Sequence, residues 1–176
     1  MAKTENLRET QNALRDDYTR DPDSATVVLT VRSSESDLAD PLHCAVTPGR
    51  EVVWRSGAHL AVGGAGDAPC SGDVLLGALA ACQEITLRMV AANMGIRIEA
   101  LTVTVEGDWD PRGTLAMRGF PIGLTAVRCK TEVTVEDDGK GDRSERLLRS
   151  AEKYCVVLNT LRDGVPVDAT FELRTS

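Results

Sequence analysis

Residues 71–95 read SGDVLLGALAACQEITLRMVAANMG, and the fold turns on how this run is taken. Ser71 offers a side-chain oxygen for a helix N-cap, and Gly95 offers the left-handed residue that ends a helix. The first half, through Val74, Leu75, Leu76, Ala78, Leu79, Ala80 and Ala81, is apolar on nearly every side. A helix of that kind must be covered all round, and Gly77, Ala80 and Ala81 let a neighbour come close. The run therefore predicts a central helix crossed by other elements, with Cys82 at its middle.

Downstream, LTVTVEGDW (101–109) alternates with period two, and IGLTAVRCKTEVTVED (122–137) repeats the pattern. Pro111, Gly113, Gly119 and Pro121 mark a long connection between them. Asp142, with Glu145 three residues on, opens an amphipathic helix, SERLLRSAEKYC (144–155), carrying Leu147, Leu148, Ala151 and Cys155 on one stripe. Gly164 stops the helical region, and VPVDATFEL (165–173) reads as a last strand. Upstream, ATVVLTVR (25–32) and EVVWRS (51–56) are β-rich. The glycine-rich loop 63–69 lacks the Lys-Ser/Thr ending of a phosphate cradle. Residues 1–24 form a polar arm with a thin helical stripe of Leu7, Leu14 and Tyr18, too narrow to hold a helix without docking. The expected organisation is an arm over 1–24 and one domain over 25–176. Its class is α+β, a mostly antiparallel sheet wrapping a long buried helix.

The bulk properties narrow the function. A net charge of -7 argues against nucleic acid and anionic membranes. Aromatic residues at 3% leave a core of Val, Leu, Ile and Ala and no base-stacking platform. No window approaches eighteen consecutive apolar residues and the N-terminus has no apolar signal core, so no membrane span and a cytoplasmic location are expected. In that reducing setting Cys44, Cys70, Cys82, Cys129 and Cys155 are buried thiols, metal ligands or redox groups. With no C-x-x-C pair and only His43 and His59 to assist, no metal site is expected.

A thiol reacts as thiolate, and an ordinary cysteine is only about 3% ionised at pH 7. Cys82 lies eleven residues beyond Ser71, about 16 Å along the axis and beyond the reach of its own helix dipole. Burial would raise its pKa. A reactive Cys82 thus requires a cation supplied by tertiary contact; otherwise it is a small core hydrophobe. Cys155 closes the buried stripe of the second helix, so two helices could present a pair able to form a reversible disulfide. Cys44, Cys70 and Cys129 sit in loop or strand contexts without a comparable setting.

The run DVLLGALAACQEITLRMVAANMGI, the strand LTVTVEGDWDPRG and the segment AEKYCVVLNTLRDGVPV together resemble the OsmC/Ohr family of thiol-dependent peroxidases. The first matches that family's central-helix motif, and the third matches its A-E-x-x-C-P segment. The likeness extends over roughly residues 25–174 in element order and is closest at the two cysteine motifs, 73 positions apart. It implies an intertwined homodimer, with Cys82 as peroxidatic thiolate, Cys155 as resolving thiol, a hydroperoxide substrate, and a dithiol reductant such as a lipoyl protein. No cofactor is implied. It also implies an arginine beside the thiolate, oriented by an acidic residue: Asp73 stands at the acidic position, and Arg32 best fits the arginine, with Arg50 and Arg55 as rivals. The chain departs from the motifs at three places. Val156 follows Cys155 where the family usually has proline, so the helix could run on; Ser71 replaces a proline, with Pro69 displaced upstream; and Asp73 replaces Glu. These departures leave a second expectation open, a non-catalytic dimer of the same fold that binds an apolar small molecule.

Overall fold

The computed structural model describes residues 2–33, 36–48, 52–136 and 141–174, with side chains in the first helix from Leu7 onward. Helix α1 (Ala2–Arg20) leads into a single 3-10 turn at Pro22–Ala25. Two short strands, β1 (His43–Val46) and β2 (Trp54–Gly57), pair antiparallel with His43 opposite Gly57 and Val46 opposite Trp54. Helix α2 (Ser71–Met94) follows, then β3 (Ile98–Trp109), a one-turn helix α3 (Pro111–Thr114) and β4 (Leu124–Val135). Strands β3 and β4 form a long antiparallel ladder in which Thr104 faces Lys130 and Val105 faces Cys129. Helices α4 (Gly141–Tyr154) and α5 (Val156–Asp163) follow as the last regular elements among the described residues.

Helix α2 is the element that the rest is built on: β3, α4 and α5 all pack against it. Its C-terminal half supplies Leu87 and Ala91, which meet Leu147 and Ala151 of α4 in a core where each is 0–1% exposed. Val90, Met94, Ile98, Leu101, Val133 and Val135 close around this cluster. Gly95 ends the helix as expected, at φ 64°, and the Ile96 amide turns back to the Ala91 carbonyl at 2.9 Å. The start is shifted by one residue. Cys70 is the N-cap: its sulfur accepts from the Asp73 amide at 3.4 Å, while its own amide donates to the Asp73 carboxylate at 2.9 Å. Ser71 is the first helical residue instead.

Three further expectations change. Residues 26–31 form no ladder within the chain, and their side chains Val27, Val28, Leu29 and Val31 are 60–89% exposed. Only Arg32 makes a bridge, with Thr47. Residues 165–174 likewise take no regular structure, leaving Val167, Phe171 and Leu173 at 85–94% exposure. Finally, α2 is buried only along Leu79, Gln83, Leu87 and Ala91, while Leu75, Ile85 and Met89 remain exposed. The helix that was expected to be covered all round is covered on one side. It is also, among the described residues, long and apolar enough to cross a bilayer by length and composition, although no run of eighteen apolar residues occurs in it.

The arm docks on the body. Gln11 accepts from the Asn93 side chain of α2 at 2.6 Å, and Leu7 lies in a hollow beside Ile85, Met89 and Ile96. Leu14 and Tyr18, the rest of its stripe, stay exposed.

Candidate active site

Cys82 is half-buried on α2, and Cys155 is fully buried at the joint between α4 and α5. Helix α4 stops at Tyr154 although no proline follows, and Cys155 takes an extended conformation (φ -74°, ψ 105°) before α5 restarts at Val156. Asn159 holds this break. Its side-chain amide donates to the Lys153 carbonyl at 3.1 Å and to the Cys155 carbonyl at 2.8 Å, the latter also accepting from the Asn159 main-chain N–H at 3.1 Å. The stripe Leu147, Ala151 and Cys155 anchors the joint on α2, and Cys82 and Cys155 are near enough to shift each other's pKa. Leu148, expected on the same stripe, points outward and is exposed.

The two sulfurs are electrostatically unequal. Burial pushes the Cys82 thiol up, but the Val157 amide, the Cys155 thiol, the Thr86 hydroxyl one turn along α2 and the Val156 amide together bring it below its ordinary value. Each of these stabilises a negative sulfur. Burial also pushes Cys155 up, opposed by the Leu158 amide; the Cys82 thiolate then raises it further, and Cys129 adds to the rise. A thiol donating to a thiolate keeps its proton. The arrangement therefore makes Cys82 the more acidic sulfur and Cys155 the one that holds its proton, the division of labour that oxidation followed by disulfide closure requires.

Arg32 and Asp73 stand apart from this pair. Arg32 is exposed, its main chain paired with Thr47 through bonds of 2.7 and 3.3 Å. Asp73 is occupied at the start of α2 by the Cys70 amide, which holds its carboxyl below the usual range. It lies nine residues before Cys82, about 13 Å along the axis. Among the described residues it makes no ion pair with an arginine. Arg50 lies outside the described residues. Arg55 is turned into another cluster, donating to Asp67 at 2.9 Å. Asp67 and Asp40 clasp His43 from both sides, at 2.8 Å to Nε2 and 2.7 Å to Nδ1. With a carboxylate at each nitrogen both must donate, so the ring is held charged; Asp67 first and Asp40 second raise its pKa. Asp67 is held down to about 2, chiefly by His43 and then by Arg55.

Two hollows besides the one beside Leu7 flank α2. At its N-terminal end a cavity of about 590 Å³ is lined by His59, Cys70, Asp73, Leu76, Trp109 and Ile122. His59 meets Trp109 edge-on there at 5.5 Å. Cys70, which the sequence marked only as a loop thiol, thus acts as a helix cap at this cavity's wall. The second hollow, about 820 Å³, lies between α2, β4 and the α4–α5 pair. Leu79, Leu87, Val127, Leu158 and Leu161 give it an aliphatic wall, and Cys129, Glu152 and Arg162 a polar one. Gln83, next to Cys82 in the chain, lines it at 7% exposure with its Oε1 unpaired. Sequence reasoning missed the Cys82 donors. Thr86 was within reach of it, being four residues on and on the same helical face. The amides of α5 were not, because no glycine or proline signals the break at Cys155.

The chain matches the family model described as OsmC-like protein over residues 64–170. No curated protein matches it. Among solved structures, an OsmC-like protein of unknown function from Vibrio cholerae superposes with TM-score 0.61 at 12% identity, covering 77% of this chain and 94% of that one. An OsmC-like protein from Mycoplasma pneumoniae gives 0.61 at 17% identity, over 78% and 89% of the two chains. The organic hydroperoxide resistance protein OsmC from Legionella pneumophila gives 0.57 at 19% identity, over 78% and 91%. At such identities these likenesses carry the fold, and the family match spans well over half of the sequence, from the glycine-rich loop through both cysteine motifs. This chain belongs to the OsmC-like protein family.

Proposed function

We propose that the protein reduces organic hydroperoxides through Cys82, with Cys155 as the resolving thiol. The observation that carries this reading is the meeting of the two sulfurs with opposite proton preferences. The Cys82 thiolate attacks the distal peroxide oxygen, the O–O bond breaks, and the departing alkoxide takes a proton to leave as alcohol. Cys155 then attacks the sulfenic sulfur, closing a disulfide and releasing water. A dithiol reductant, such as a lipoyl protein, returns both thiols by exchange and supplies the two electrons. The aliphatic wall of the 820 Å³ hollow, which Gln83 next to Cys82 in the chain also lines, suits an alkyl hydroperoxide better than hydrogen peroxide. The chemistry fits a cytoplasmic setting, where reductant is available.

The same reading includes a homodimer. The uncovered face of α2 and the unpaired apolar segments 26–31 and 165–174 are surfaces that a second copy would cover, and the resemblance to intertwined family members supports it. A second reading, a binding protein for an apolar small molecule, draws support from Gln83, whose buried Oε1 would accept a donor from an occupant of the 820 Å³ hollow. Stopped-flow mixing with tert-butyl hydroperoxide separates the two. The peroxidase reading expects rapid loss of free thiol, abolished in Cys82→Ser and stalled at sulfenic acid in Cys155→Ser. A wild-type protein whose titratable thiols survive the peroxide would sink it.

A further inference from the structure

A buried polar atom with no partner is costly and rare in a folded chain. Among the described residues one side-chain atom is of this kind, Oε1 of Gln83, reached by neither water nor a protein donor. Gln83 sits between Leu79 and Leu87 on the buried line of α2 and is 7% exposed. It borders the 820 Å³ hollow between that helix, β4 and the α4–α5 pair, a volume within the roughly 300–1,000 Å³ usual for small-molecule sites. We propose that this hollow binds a molecule with an aliphatic body and an uncharged O–H head, and that Gln83 is the residue that reads the head. The choice of O–H rests on the peroxidase reading, since an alkyl hydroperoxide and the alcohol it leaves both carry one.

The wall selects the body and the charges select the head. Leu79, Leu87, Leu158 and Leu161 offer an alkyl chain a surface away from water. Glu152 and Arg162, the two charged residues of the lining, are half exposed and hold each other at 2.7 Å. Their charges are spent on each other at the solvent side. A charged head carried inside would therefore lose its hydration and find no counter-charge. An uncharged head with a hydrogen to donate meets a different site. The terminal amide of Gln83 turns about a broad torsion, so Oε1 can swing to an O–H with α2 unmoved, and the orphan acceptor gains its partner. An ether or a dialkyl peroxide has no such hydrogen and leaves Oε1 unmet.

Gln83→Leu removes the acceptor and keeps most of the bulk, and because it also removes an unmet polar atom the fold should tolerate it. The test is a titration of the full chain followed by methyl NMR of its leucines, with octan-1-ol, heptyl methyl ether and octanoate as probes. Octan-1-ol should shift the methyls of Leu79, Leu158 and Leu161 and bind roughly tenfold more tightly than the ether, with octanoate weaker still. In Gln83→Leu the alcohol should lose that lead while the ether keeps its affinity or gains, a change that altered packing alone would not give. Alcohol and ether binding alike in the wild type, a preference that survives Gln83→Leu, or shifts absent from the methyls of this hollow would each overturn the proposal. None of these measurements involves peroxide. A protein that binds octan-1-ol through Gln83 yet leaves hydroperoxide intact would defeat the peroxidase reading and keep this site.

Discussion

At the scale of residues, Cys82 gains its acidity from donors that carry no formal charge. Thr86 lies one turn along the same helix, while Val156 and Val157 act through the main chain. A rate that follows thiolate should rise with pH along a curve whose midpoint lies below the ordinary thiol range, about 8.5. A midpoint at or above that range in a pH series of peroxide consumption would contradict the assignment. Cys82 and Cys155 were marked in the sequence as a candidate pair by two motifs, one on the central helix and one closing the stripe of the second. The donors were not, since an amide looks the same whatever residue bears it. Within one chain Arg32 and Asp73 are not brought to Cys82: the Cys70 amide holds Asp73 at the helix start, two and a half turns away from the sulfur. His43 makes a separate prediction. Its raised pKa means that its contribution to stability is complete below about pH 6.5 and is lost as pH rises through the folded value. Asp40 and Asp67 contribute above about pH 4, and that share is lost as pH falls through their lowered values. The clasp should thus be strongest between about pH 4 and 6.5, with a His43 ring titration by NMR centred above 6.5 and collapsing toward it in Asp67→Asn.

Among the elements, the interrupted helix matters most. Helix α2 was readable from its length, its apolar run and Gly95, and β3 and β4 from their alternation. The break between α4 and α5 was not, because it depends on a side chain, Asn159, folding back onto carbonyls rather than on a helix breaker in the sequence. Asn159→Ala should cost about 1 kcal/mol of stability. It should also weaken Cys82 acidity while the α2–α4 core stays intact. Leu147→Ala strikes that core instead. With Leu147 fully buried against Leu87 and Ala91, truncation should cost about 2–5 kcal/mol in chemical denaturation. A loss below 1 kcal/mol would mean that the cluster is not the centre of the fold.

For the whole molecule, the sequence marked apolar segments at 25–32 and 165–173 as strands, and among the described residues of one chain only Arg32 of these finds a strand partner, Thr47. Local pattern reports that a segment wants a sheet, not which chain supplies it. The proposed homodimer gives them that partner. Light scattering should then show a dimer of this 18.9 kDa chain, and removal of residues 165–176 should yield monomer or aggregate; a full-length monomer would refute it. The account as a whole stands on the pairing of an acidified Cys82 with a Cys155 that keeps its proton. Its most direct test is disulfide mapping after one equivalent of alkyl hydroperoxide. The account predicts a single Cys82–Cys155 bond formed in stoichiometric yield; five free thiols, or a bond that leaves Cys82 out, would contradict it.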